Sequence, residues 1–128
     1  MYSHIMVGTN DLDKAKTFYD AVLGTLGVGP ATIDGERGRM FYVTPTGIFA
    51  VSKPIDGEAA SVANGATIGF AAATPAQADA WHAAGVAHGG VSIEDPPGVR
   101  EGGFGKLYLA YLRDPDGNKI CALHRMAS

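Results

Sequence analysis

The chain has 128 residues, 46% of them hydrophobic, which suits one domain burying roughly two-thirds of its unfolded surface. Its net charge is −3 and its ten basic residues stand singly, so the electrostatic footprint of phosphate-backbone binding is missing and nucleic acid is excluded as an expected partner. No apolar run approaches the ~18 residues of a membrane span, MYSHIMVGTND lacks the features of a leader, and the single Cys121 allows no internal disulfide, so a cytoplasmic protein off the membrane is expected.

Residues 3–9, SHIMVGT, read as a strand. Asn10 or Asp11 then caps a helix carrying Leu12, Ala15, Phe18, Tyr19 and Val22 at helical spacing, with Gly24 as the expected left-handed residue at its end. RMFYV, Thr44-Pro45-Thr46-Gly47 and IFAVS read as a hairpin. Residues 53–66 are polar and Gly/Ala-rich, as a connector is. A second strand follows, then a helix that Thr74 caps, with Pro75 in its first turn, Ala78 and Trp81 facing inward and Gly85 ending it. Residues 94–106, EDPPGVREGGFGK, have no period and read as a loop, either a mobile lid or a plain surface connection. KLYLAYLR, Asp-Pro-Asp-Gly-Asn and ICALH close the chain with a second hairpin, and Asp114 to Asn118 are assigned to turn chemistry rather than to an ion.

The two halves repeat. Displaced by 63 positions without a gap, His4 falls on Thr67, Ile5 on Ile68, Val7 on Phe70, Phe18 on Trp81 and Gly27 on Gly90. Two copies are too few for an open array, so a single domain over 1–128 is expected, with modules over about 1–56 and about 65–128.

The run HIMVGTNDLDKAKTFYDAVLGTLG, followed much later by RDPDGNKICALH, resembles the vicinal oxygen chelate superfamily, which includes glyoxalase I, extradiol dioxygenases and bleomycin-resistance proteins. The resemblance implies an α+β fold of two tandem βαβββ modules. They would form a half-open curved mixed β-sheet with helices on the convex side and the ligand on the concave side. It also implies a homodimer, an expectation to which the exposed edges of an open sheet contribute.

In metal-using members of that superfamily, each module supplies a ligand from its first and its last strand. Aligning the hairpin turns gives the quartet His4, Phe49, Thr67 and Cys121, where such relatives carry histidines and glutamates. Phe49 donates nothing and Thr67 offers a neutral hydroxyl, whereas a catalytic zinc site wants about three protein donors. No metal is therefore expected and the four positions read as vestigial. The alternative is a divalent Zn, Ni, Fe or Mn ion completed by a donor from the 94–106 segment or a partner chain.

His4 and Cys121 are tentative catalytic residues, as a general acid or base beside a thiol that it draws toward thiolate. The plain reading is a pocket histidine and a small buried hydrophobe. Strand alternation places Met6 and Gly8 with His4, Gly69 and Ala71 with Thr67, Val51 with Phe49, and Leu123 with Cys121. The expected ligand-binding set is Met6, Phe49, Thr67, Arg100, Tyr111 and Leu123, on an apolar floor suited to a flat organic molecule. Arg100 and Arg113 are candidates to grip an anionic group of the ligand. His82, His88 and His124 read as structural or surface residues. The expected function is binding or transforming a small apolar or aromatic compound. The alternatives are a metal-dependent lyase or dioxygenase resembling lactoylglutathione lyase, and an interaction module with a collapsed pocket.

Overall fold

Asp11 starts the first helix in the computed structural model, which describes residues 1–127. Its backbone is extended and its side chain accepts from Lys14 N at 3.1 Å, satisfying an amide that the first turn would leave open. The first module runs β1 (His4–Gly8), α1 (Leu12–Gly24), β2 (Thr32–Asp34), β3 (Arg39–Thr44) and β4 (Gly47–Ser52). Its sheet has the order β1-β4-β3-β2, with β1 and β4 parallel and the other pairs antiparallel.

The second module repeats that plan with β5 (Ile68–Ala71), α2 (Pro75–Ala87), β6 (Val91–Ser92), β7 (Gly98–Gly102), β8 (Gly105–Arg113) and β9 (Lys119–Arg125). Thr74 caps α2, accepting from Gln77 N at 3.0 Å, and Pro75 sits in its first turn, where a missing N–H costs nothing. The order β5-β9-β8-β6 matches the first sheet, and β6 and β7 together occupy the place of β2. This is the α+β arrangement of paired βαβββ modules.

Three local expectations are corrected. Gly24 lies inside α1, and the left-handed residue after it is Gly27 at φ 85°. Gly85 lies inside α2, and the left-handed turn comes at Gly89 at φ 99°. The 94–106 segment is not a structureless loop. Gly98–Gly102 pairs with β8 up to a tight turn at Gly102↔Gly105, so hydrogen bonding to a long neighbouring strand overrides a glycine-rich sequence of poor strand propensity.

The modules share one core. A chain of aromatic rings crosses it, Tyr19 to Phe49 at 4.8 Å between centroids, Phe49 to Phe70 at 5.1 Å and Phe70 to Trp81 at 6.5 Å, all within the range of favourable tilted or edge contacts. Polar bonds run beside the rings. Tyr19 Oη donates to Asp114 at 2.6 Å, Thr9 Oγ1 to Asp116 at 2.6 Å, Asn10 N to Asp116 at 2.8 Å, and Asn118 Nδ2 to the Gly8 carbonyl at 3.1 Å. The Asp114–Asn118 run is therefore both the β8–β9 turn, with Gly117 at φ 94°, and the seam that holds the first module.

Candidate functional site

Strand pairing decides which side chains share a face, because laterally paired residues point the same way. Ile5 pairs with Phe49 and Val7 with Val51, while His4 pairs with Ile48 and Met6 with Ala50. Phe49 and Val51 lie in the shared core, on the face that the helices cover, whereas His4 and Met6 are exposed on the opposite face. Phe49 is 7% exposed. Its placement beside His4 and opposite Cys121 is thus corrected, as is that of Val51. In the second module Ile68 pairs with Ile120 and Gly69 with Cys121, so the counterpart of Phe49 is Ile120 and that of Cys121 is Ala50. Counting from the turns misplaced the register by one residue, and in a strand one residue reverses the face.

A cavity of about 560 Å³ opens where β1, the β3–β4 hairpin, the segment after α1 and β5 converge. Its walls include Val28, Ile48, Phe49, Ile68 and Phe70, with His4, Ser3, Thr44 and Thr46 among its polar groups. The wall after α1 is tied down. Asp20 accepts from Ala31 N at 3.1 Å and from Tyr42 Oη at 2.7 Å, and pairs with Lys16. These hydrogen bonds hold the Asp20 carboxyl below its ordinary range against the opposing effect of its desolvation. His4 Nδ1 lies 2.8 Å from Ser3 Oγ, which leaves Nε2 as the ring atom available to a bound molecule. Of the expected set, His4 and Phe49 line this cavity, together with Gly69 and Ala71.

Four further candidates lie on the outer face of the second sheet. Tyr111 pairs with Cys121, Leu109 with Leu123, and Arg100 with Leu107, so Cys121, Tyr111, Leu123 and Arg100 share one side. Met6 belongs to the corresponding face of the first sheet, and Thr67 stands at the end of the second, one residue before β5. Arg100 donates to the carbonyls of Asp95 and Pro96 at 3.1 and 3.0 Å, which fixes the segment between β6 and β7. Lys119 Nζ sits 5.1 Å from the centre of the Tyr111 ring and pairs with Glu94.

Cys121 is 5% exposed, and its burial pushes the thiol up to about 11. A buried thiol of that kind is a poor nucleophile at neutral pH, which favours the reading of Cys121 as a small buried hydrophobe. The three other histidines bond locally: His82 Nε2 with Ser92 Oγ at 2.9 Å, His88 Nδ1 with the Ala84 carbonyl at 2.7 Å, and His124 Nδ1 with the Ala72 carbonyl at 3.0 Å.

Pairing also redefines the positions that the resemblance assigns to metal ligands. They are His4 with Ile48, and Thr67 with Lys119 as its neighbour, one step before Ile68↔Ile120. An imidazole, an alkyl group, a hydroxyl and an ammonium do not fit a divalent ion, which takes imidazole, thiolate or carboxylate donors. Among the described residues no three His, Cys, Asp or Glu side chains are grouped to hold one.

The family model for the Glyoxalase/Bleomycin resistance protein/Dioxygenase superfamily matches residues 2–122. A glyoxalase/bleomycin resistance protein from Albidiferax ferrireducens T118, known as a crystal structure, is 61% identical, with a TM-score of 0.95 over 98% of this chain and 99% of that one. The fold is also that of a glyoxalase/bleomycin resistance protein/dioxygenase family enzyme from Burkholderia phytofirmans PsJN, at 18% identity and a TM-score of 0.70 over 97% and 98% of the two chains. Lactoylglutathione lyase from Agrobacterium tumefaciens shares it at 19% identity and 0.67, over 97% and 92%.

Proposed function

From the premise that the chain belongs to the glyoxalase/bleomycin resistance protein/dioxygenase superfamily, we propose that it binds a small apolar or aromatic compound in the cavity beside His4, without a metal ion. The observation that carries this reading is the lining, which is largely hydrocarbon and aromatic, with His4 and Ser3 on the β1 side and Thr44 and Thr46 on the β3–β4 hairpin as its polar groups. Apolar walls supply affinity by removing ligand surface from water, and a few placed polar groups set orientation. Nε2 of His4 supplies one such contact, as donor or acceptor according to its tautomer, and serves a proton transfer if the compound presents an ionisable group there.

The protein acts in this reading as a homodimer. Met6 is 42% and Val43 67% exposed on the outer face of the first sheet, and a second copy covers such apolar surface.

Titration with the neutral fluorophore N-phenyl-1-naphthylamine tests the cavity. Saturable binding that Ala71→Phe weakens, by filling the space beside β5, supports the proposal. Absence of saturable binding, or binding indifferent to Ala71→Phe, rejects it.

A further inference from the structure

A second concavity, of about 440 Å³, lies at the far end of the second sheet between the segment leading into β5 and the β8–β9 turn. It shares no lining residue with the cavity beside His4. Its polar lining consists of Asn64, Thr67, Arg113 and Lys119, with the backbone of Gly65 and Gly117. Among the described residues two basic and no acidic ones line it, in a chain whose net charge is −3.

The acidic groups close by are engaged elsewhere. Asp116 accepts from Thr9 Oγ1 and Asn10 N, and Asp114 accepts from Tyr19 Oη and from the side chain and backbone amides of Asn118. Both carboxylates are thus turned into the seam between the modules. Glu94 pairs with Lys119 from outside the lining, and among the described residues it is the carboxylate that pairs with these cations. Arg113 Nη1 donates to the Gly117 carbonyl at 2.8 Å. That bond fixes the guanidinium against the turn, and the planar group keeps further N–H donors for a bidentate partner. The Thr67 hydroxyl stands at the same rim.

We infer that this concavity is a binding site for a small organic anion, which presents a carboxylate or phosphate group to Arg113, Lys119 and Thr67. A guanidinium fork matches the paired oxygens of either group, and an ammonium and a hydroxyl complete the donor set. The lysine also ties the site to the sheet face, because its Nζ lies 5.1 Å from the Tyr111 ring centre.

The test is a titration of the isotopically labelled full chain with inorganic phosphate and, separately, with acetate, at low and constant ionic strength balanced by chloride. Amide resonances report the site. Saturable shifts confined to residues 62–67 and 113–119 are expected, and the tighter of the two anions identifies the headgroup. Lys119→Gln should weaken binding about tenfold, the factor that corresponds to 1.4 kcal/mol. Arg113→Gln should do the same, with its fold checked by the dispersion of the spectrum, and the Lys119 variant carries the test if the β8–β9 turn loosens. Glu94→Gln should tighten binding by freeing Lys119. Failure of both anions to saturate, saturation unchanged in Lys119→Gln, or Glu94→Gln weakening binding would each overturn the assignment, and none of these results bears on the cavity beside His4.

Discussion

Tyr19 and Asp114, 95 positions apart, meet in the buried seam of the two modules, the phenol donating to the carboxylate at 2.6 Å. Burial, then the adjacent Asp114 charge, drive the Tyr19 phenol well above its ordinary range, which favours the protonated form that donates to Asp114. Tyr19→Phe removes the donor and leaves a buried carboxylate short of one bond. Bonds to charged groups contribute about 1.5–3 kcal/mol, and Tyr19→Phe is expected to destabilise by about 2 kcal/mol in urea denaturation. A loss too small to measure would mean that Asp114 is satisfied without it.

Gly90 allows the close approach that brings α2 against the first module. A Cβ there would lie 2.6 Å from Phe18 Cε1, 2.9 Å from the Gly85 carbonyl and 3.2 Å from the Arg113 carbonyl. Two of these neighbours are backbone and cannot turn aside. Gly90→Ala reduces unfolded-chain entropy, worth about 0.4–1 kcal/mol, but overpacking of this kind costs about 1–3 kcal/mol. The second effect wins, and the denaturation midpoint should fall. A midpoint equal to or above wild type would refute the contact.

The Cys121 thiol is pushed by burial from an ordinary 9.0 to about 11. Its folded value exceeds its unfolded value, so its contribution to stability is complete below about pH 9 and is lost as pH rises toward 11. Stability should therefore fall more steeply across that window in the wild type than in Cys121→Ala. Equal slopes would show that the thiol ionises alike in both states. At pH 8 the folded thiol should react with a disulfide reagent far more slowly than the urea-unfolded chain.

Sedimentation should find a dimer at micromolar concentration. Met6→Glu and Val43→Glu together place charge on the exposed apolar face of the first sheet and should shift the equilibrium to monomer, because an unpaired charge in an interface is costly. A wild-type monomer rejects the homodimer.

Chelation should leave the melting temperature unchanged. An ion bound at a thousandfold excess over its Kd stabilises by about 4 kcal/mol, an effect that chelation would remove visibly. One equivalent of zinc or nickel that co-purifies and is lost in His4→Ala would contradict the metal-free proposal.

The elements with strong local chemistry were legible in the sequence. Thr74 and Pro75 mark the start of α2, Thr44 to Gly47 and Asp114 to Asn118 mark the hairpins, and the displacement of 63 matches Ile5 with Ile68, which pair with Phe49 and Ile120 in equivalent places. What escaped depends on register and tertiary partners. Phe49 was assigned to the wrong face because the two turns differ in length, and turn length does not by itself fix which residue lies beside β1. β7 escaped because its pairing is dictated by β8 rather than by Gly98, Gly102 or the residues between them. The role of Asp114 and Asp116 in joining the modules was hidden because Thr9 and Tyr19 lie about a hundred residues away and no local pattern links them.

The seam also sets the timing of folding during synthesis. The bonds from Thr9, Tyr19 and Gly8 reach residues 114–118, at separations of 107, 95 and 110 positions. A nascent first module holds Phe18 and Tyr42 beside Tyr19 but lacks Phe70, which packs on Phe49, and Asp114, which accepts from Tyr19. These bonds cannot form before residues 114–118 have been made, so the emerging chain lacks its seam until the β8–β9 turn has left the ribosome. Translation pauses or chaperone capture between residues 52 and 114 should affect the yield of folded protein more than the same events after the turn has been made.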